Sequence, residues 1–439
     1  MFTPKTKQPS EMMTTPELIA QTNQSLLADH QHQLYHLQEI LAKKQIDIEP
    51  VIQKLQAFQV SVPSWALGTG GTRFGRFPIG GEPRSIEEKI ADTSLLHQLT
   101  GSNNAISLHI PWDTSLDYSA VRQFAHSRGI KFDAINSNTF QDHPQQVYSY
   151  KYGSLSHTKA EVRRQAIEHN CEVINIGQQL GSKALTTWLG DGANFPGQNN
   201  FRKAYERTAE SLQEIYRYLP THWQMLIEYK PYEPNFYSMV IPDWGTALLL
   251  AQQLGDQAQV LVDLGHHLPN TNIEQIIARL AGIGRLGGFH FNGSSYGDDD
   301  LTTGALKPYR LFLIFQELVN AMWSDAPTNA SDIAWMIDAS HNTKDPIEDL
   351  MQATEGILIE YAHALLIDQK MLEYMQEENE VVQAQEILQA AFRVDVRPLV
   401  AEARFRNKAC IDPLTFFRAQ RIRAALIEKR GVASRATGL

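Results

Sequence analysis

The sequence predicts an α/β protein: a closed (β/α)8 TIM barrel with an N-terminal helix and a C-terminal helical extension. Three observations carry this. Eight short runs rich in β-branched and aromatic residues recur down the middle of the chain. Segments of about 20–45 residues, most with helical periodicity, separate them. Each run also ends in unusual polar or aromatic residues, the pattern of parallel strands that deliver their carboxyl ends to one face. Strands alternating with helices argue a parallel sheet. Eight of them argue closure, and a doubly wound open sheet is the alternative that periodicity leaves open.

The elements follow in order. Thr15 and Pro16 read as an N-cap and a first-turn proline, opening a helix with Leu27, Leu34, Leu37 and Leu41 on one side. The preceding MFTPKTKQPSEMM lacks the apolar core of a secretory signal, so residues 1–60 are tail and helices. Strands are predicted over SVPSWAL (61–67), AISLHI (105–110), FDAINS (132–137), KALTTWL (183–189), WQMLIEY (223–229), QVLVDL (259–264), GGFHFN (287–292) and IAWMID (333–338), which sets the barrel at 61–345. Between strands three and four, Val162, Ala166, Ile167, Val173 and Ile176 fall near one helical face. After Pro346 the pattern is helical: 348–374, 378–392, 396–406 and 416–429. This block, 346–439, is too amphipathic to stand alone. It is expected to cover another subunit or the barrel's outer wall, and its apolar residues Ile357, Leu358, Tyr361 and Leu365 favour an oligomerisation element.

Composition narrows the classes. A chain of 439 residues accommodates one barrel of roughly 250 residues with extensions. A net charge of −10 argues against a nucleic-acid surface. Two isolated cysteines, Cys171 and Cys410, suit a reducing cytoplasm without a disulfide framework. No apolar run approaches the length of a membrane span.

The chemistry concentrates in 259–300. The runs QVLVDL and GFHF carry Asp263, with His266 after it, and His290 at their carboxyl ends, and the helical pattern of Ile273, Ile276, Ile277 and Leu280 lies between them. A parallel strand–helix–strand unit brings both ends to one face, together with the cluster Asp298, Asp299, Asp300. Mixed carboxylate and imidazole donors suit Mn²⁺, Co²⁺ or Mg²⁺. The other strand ends offer Trp65, His109 with Trp112 and Asp113, Asn136 with Asn138, Trp188 with Asp191, Glu228 with Lys230, and Asp338 with Ser340 and His341. Singly, each has a bland reading: a carboxylate after a strand is more often a helix N-cap, and a lone tryptophan is more often core packing. The joint pattern on strands five to eight overturns those readings for Glu228, Asp263, His290 and Asp338, and favours Asp298 and Asp300. It leaves Asp299, His157, His222, His267 and His341 as structural. The match GIGRLG (282–287) precedes a strand, the wrong context for a dinucleotide fingerprint.

VPSWALGTGGTRFGRFP, SLHIPWD, INSNTF, SYKYGSLSHT, WLGDGANFPGQ, EYKPYEPNFYS, VDLGHHLPNTNIE, GGFHFNGSSYGDDD and MIDASHN resemble the bacterial L-rhamnose isomerases of the broad-specificity type, over residues 16–425. The resemblance implies a homotetramer with two divalent cations per subunit, Mn²⁺ first. It gives Glu228, Asp263, His290 and Asp338 to one ion and Glu228, His266, Asp298 and Asp300 to the other. Trp65, His109, Trp188, Lys230 and Ser340 match sugar-contacting positions. Gly293 and Ser295 depart from the acidic and basic residues common in that family. The implied reaction interconverts an aldose and its ketose, L-rhamnose and L-rhamnulose with D-allose and D-psicose as a second pair, by a metal-assisted 1,2-hydride shift, with Lys230 and Asp338 as catalytic residues. The alternatives are a ketose 3-epimerase on a similar barrel and a sugar-binding protein without activity. The partner in each case is a small sugar, not nucleic acid or a membrane.

Overall fold

The computed structural model describes residues 14–68, 77–195, 197–233, 236–324, 326–327, 333–339 and 343–432. All eight expected strands form: β1 (Val62–Pro63), β2 (Ala105–Ser107 and His109–Ile110), β3 (Lys131–Phe132 and Ile135–Ser137), β4 (Ala184–Thr187), β5 (Gln224–Glu228), β6 (Ala258–Asp263), β7 (Leu286–Phe291) and β8 (Ala334–Ile337). The first is much shorter than the expected 61–67, because Ser64–Leu67 turns into a 3-10 helix. Their neighbours run in chain order and in parallel: the first half of β2 pairs with β1 on one side and the first half of β3 on the other, and the second halves continue the order to β8. Ser61 then joins Met336 across the last gap, its N–H donating to Trp335 O at 2.7 Å and its carbonyl accepting from Ile337 N at 3.1 Å. That bridge decides for a closed barrel over an open sheet.

Helices α1 (Pro16–Ala42) and α2 (Ile48–Ala57) precede the barrel. Thr15 caps α1 by accepting from Leu18 N at 3.2 Å, with proline in the first turn. The outer layer is α3 (Ile86–Thr100), α4 (Tyr118–Ser127), α5 (Ala160–Leu180), α6 (Phe201–Tyr218), α7 (Trp244–Leu254), α8 (Ile273–Gly282) and α9 (Pro308–Trp323). Two cores result. The larger lies between strands and helices. The smaller fills the barrel floor with Ala134, Ala184, Leu226 and Leu261, against which Ala334 packs.

The extension comprises α10 (Pro346–Leu365), α11 (Gln369–Glu377), α12 (Val381–Phe392), α13 (Arg397–Arg406), α14 (Pro413–Ala419) and α15 (Ile422–Arg430). The expected helix over 348–374 is two helices, because Asp368 caps a new start by accepting from Met371 N at 3.0 Å. The last expected helix is likewise split, at Arg421 with φ 52°. Ile357, Leu358 and Tyr361 are buried in the chain's own core. Tyr361 lies 5.1 Å from Phe58 and 5.5 Å from Phe315, centroid to centroid. The apolar faces that prompted the assembly reading therefore serve the chain's own barrel wall. Met371, Tyr374, Val381 and Val382 are what α11 and α12 leave exposed, and an assembly role for the extension is a proposal that rests on these. Among the described residues no helix is long and apolar enough to cross a membrane.

Candidate active site

Alternation along the strands builds the site. Every second side chain of a strand shares a face, so the residues two beyond the small floor residues Ala134, Ala184, Leu226 and Leu261 are Asn136, Thr186, Glu228 and Asp263. On β7, His290 stands directly opposite Asp263 in the parallel register. Asp338 follows β8. Glu228, Asp263, His290 and Asp338 thus converge, with one donor atom from each lying within 4.8 Å of the others.

One imidazole nitrogen is the focus. His290 Nδ1 lies 3.1 Å from Glu228 Oε1, 3.5 Å from Asp338 Oδ2 and 3.7 Å from Asp263 Oδ2. The other carboxylate oxygens are tied back. Asp263 Oδ1 accepts from Gly265 N at 2.7 Å and Asn292 Nδ2 at 2.9 Å, and Asp338 Oδ1 accepts from Trp65 Nε1 at 2.9 Å. Asp263 Oδ2 is buried without a hydrogen-bond partner. Four donors aimed at one point, one of them an unpartnered buried carboxylate oxygen, fit a divalent cation.

A second set, Asp263, His266 and Asp298, adjoins the first. His266 Nε2 is 3.1 Å from Asp298 Oδ1, and its Nδ1 is 3.2 Å from Glu228 Oε1. Asp298 adopts φ 50°, its N–H donating to Gly265 O at 2.9 Å. Asp299 turns to the backbone, accepting from Ser295 N at 2.5 Å and Tyr296 N at 3.0 Å. Asp300 lines the same cavity but is in neither donor set. Gly293 explains its own identity: it pairs with Leu301, and an added Cβ would lie 2.8 Å from Thr302 O, so a side chain there has no room.

Burial and charge pull against each other. Burial alone would lower His290 and His266. The carboxylates around them, Glu228 first for His290 and Asp263 first for His266, instead raise both to about 9. Burial raises Asp263 to about 6 and also raises Asp338. For Glu228, burial raises the carboxyl, but His290 and His266 bring it below its ordinary value. The protein groups alone therefore hold protons on both rings near neutral pH.

Lys230 is buried and donates to Glu233 at 2.8 Å and to Asp298, with its ammonium 5.4 Å from the Trp188 ring centroid. Opposite stand the aromatic walls. His109 stacks on Trp112 at 4.1 Å and meets Trp65 edge-on at 5.4 Å; Phe140 meets Trp188 at 4.6 Å. Burial pushes His109 well below its usual value, so the ring is neutral. His109 Nδ1, Trp112 Nε1, Trp188 Nε1 and Thr186 Oγ1 are buried without hydrogen-bond partners. These line a cavity of about 260 Å³ together with Glu228, His266, His290, Asp300 and Asp338. That is the small end of ligand pockets, which run roughly 300–1,000 Å³.

Ser340 and His341 lie outside the described residues. Two strand-end carboxylates turn out to be internal braces. Asp113 accepts from Lys89 at 2.6 Å and His109 N at 2.8 Å. Asp191 accepts from the N–H and hydroxyl groups of Ser154 and Ser156. Sequence reasoning missed Thr186 and Glu233. Thr186 is legible once strand parity is fixed. Glu233 sits in an irregular loop where only its three-residue spacing from Lys230 signals it.

Comparison with known proteins follows the same lines. Residues 100–313 match the xylose isomerase-like TIM barrel family. A probable sugar isomerase of Rhizobium meliloti is 53% identical over 390 residues, covering 89% of this chain and 90% of the relative. Another, of Mesorhizobium japonicum, is 49% identical over 429 residues, covering 98% and 99%. Among solved structures, an L-ribulose 3-epimerase superposes with a TM-score of 0.51 at 13% identity, covering 74% of this chain and 98% of that one, a likeness of fold. These findings overturn the resemblance to the L-rhamnose isomerases: the two relatives that match most of the chain are named as probable sugar isomerases. The physical reason is that the motifs behind the resemblance form the strand ends and donor sets. Those parts specify barrel chemistry and do not single out one sugar.

Proposed function

The chain belongs to the family of these probable sugar isomerases, and from that premise we propose that it is a metal-dependent sugar isomerase, moving one hydrogen between carbons at the carbonyl end of an open-chain monosaccharide. The observation that carries this reading is the focus of three carboxylates on His290 Nδ1, set beneath a small aromatic cavity whose buried donors lack protein partners. Unpartnered N–H and O–H groups are what a polyol's hydroxyls satisfy, and tryptophan faces suit its C–H surface.

Glu228, Asp263, His290 and Asp338 would hold a divalent cation, and His266 with Asp298 a second. When bound, the cations supply Lewis-acid polarisation of the carbonyl and the adjacent hydroxyl. The chain's own groups do the rest. Trp65 fixes Asp338, while Asn292 and Gly265 fix Asp263, so the donors hold their geometry while the substrate changes. Lys230 presents an ammonium to the oxygen on which negative charge develops. Trp112, Trp188, His109 and Thr186 orient the sugar and keep water out. With the strand-end carboxylates directed at cations or Lys230, hydrogen is expected to leave C2 with its electron pair and join C1, while the O2 proton passes to O1.

The test is conversion of a panel of aldoses and ketoses in D₂O, read by NMR. Aldose–ketose interconversion with near-zero deuterium at C1 is the expected result. A second reading, C3 epimerisation of a ketose, is favoured by the fold match to a 3-epimerase and by Glu228 and Asp338 standing at the two ends of the β5–β8 arc. It would appear as a C3 epimer carrying deuterium at C3. No conversion of any sugar would remove both.

Metal uptake carries its own prediction. Cation binding needs unprotonated imidazoles, and His266 and His290 sit at about 9. Near pH 7.5, adding Mn²⁺ to chelator-treated protein should release close to two protons per chain. Affinity should rise with pH and level off above about 9, where both rings are already neutral. Calorimetry in buffers of differing ionisation enthalpy counts the protons. Pairing of Lys230 with Asp298 should make the second ion weaker than the first, and two equal sites would contradict this.

A further inference from the structure

The opposite end of the barrel holds a concave site of about 650 Å³, lined by the amino ends of β4, β5 and β8 and by the residues that follow α4. Arg122, Lys131 and Lys183 border it, with Asp133 as the one carboxylate. Among the described residues none of these three cations has an ion-pair partner, whereas Lys89, Arg285, Arg404, Arg423 and Arg430 all do. Three cations thus gather around one depression in a chain of net charge −10. Arg122, Lys131 and Lys183 are all exposed, and Arg122 lies across the end of α5: at Gly181, an added Cβ would lie 3.1 Å from its guanidinium carbon. Phe132 and Ile333 add apolar surface to the same lining.

We propose that this depression binds the phosphate monoester of a small metabolite. Three cations against one carboxylate leave a net charge of +2 for a dianionic phosphate. Phe132 and Ile333 give the organic part an apolar surface that bare phosphate would not use. The concavity favours a small molecule over a nucleic acid, which needs an extended basic surface. The site stands apart from the donor sets at the carboxyl ends of the strands, so it does not depend on the proposed reaction.

The experiment uses the full-length protein with its metal and two probes, inorganic phosphate and phenyl phosphate, in equilibrium binding measurements. Phenyl phosphate should bind more tightly than inorganic phosphate. Lys131→Ala/Lys183→Ala should weaken both by about tenfold or more, as loss of charge-assisted contacts implies. A control of equal charge change at exposed positions, Lys44→Ala/Lys370→Ala, should leave both unchanged. Three results would overturn the proposal: no saturable binding, equal loss in both double variants (a general charge effect), or binding that survives Lys131→Ala/Lys183→Ala and so resides at the metal. A fourth is a lowered melting temperature with unaltered phosphate affinity. That would mean the cations only complement the carbonyl ends of α4 and α5.

Discussion

Glu228→Gln is expected to lower turnover by about three orders of magnitude and to strip the first cation. A bound cation's stabilisation of developing charge is worth several kcal/mol. Asp263 is the residue common to both donor sets, but Glu228 Oε1 stands against an imidazole of each, 3.1 Å from His290 Nδ1 and 3.2 Å from His266 Nδ1. An amide there removes a negative charge from both while preserving shape, so a folding defect is not the expected cause. Asp300→Asn should cost about 10–100-fold, the scale of a group that supports a site without sharing in its main donor set. Metal content per chain, measured after dialysis, separates the two. A Glu228→Gln protein that retains its cations while Asp300→Asn loses them would reverse the assignment.

Truncation before residue 346 is expected to yield insoluble protein. Ile347, Leu350, Met351, Ile357 and Leu358 are all buried. At about 2 kcal/mol for each buried side chain, these five alone account for about 10 kcal/mol, comparable to the whole net stability of an ordinary domain, about 5–15 kcal/mol. α10 also braces the segment after the acidic turn. Gly356 sits so close to Thr303 that an added Cβ would lie 2.6 Å from its carbonyl oxygen, and Asp349 accepts from Lys344 at 2.6 Å and from Thr302. Soluble yield and circular dichroism check the prediction. A soluble, active truncate of unchanged oligomeric size would show the extension to be dispensable.

The strands were legible because each is a short, dense run of Val, Ile, Leu or aromatic residues, and the donor set because four consecutive strands end in Glu, Asp, His and Asp. Other features depend on contacts distant in sequence. Nothing local tells that Asp191 serves two serines 35 and 37 residues earlier, or that Lys230 is held by Asp298, 68 residues away. The faces of α10 were legible as apolar, but not whether their cover is another subunit or the chain itself, because amphipathicity records that a face is buried and not what buries it. The choice of sugar was not legible, since one residue after another in the recognisable motifs serves the strand ends and donors common to barrels of this class.

The bridge that closes the barrel has a thermodynamic consequence. Strand β1 contributes only two residues to the ladder, and Ser61 makes the backbone link to β8. Just beyond that link, Trp65 from the first strand's side holds Asp338 from the last. The weakest seam of the cylinder and one edge of the cation's cage are therefore the same place. A ligand that binds only the closed form stabilises it in proportion to its own affinity. Each cation bound is then also a rivet in the seam, and amide exchange at Ser61 and Ile337 should slow as metal is added.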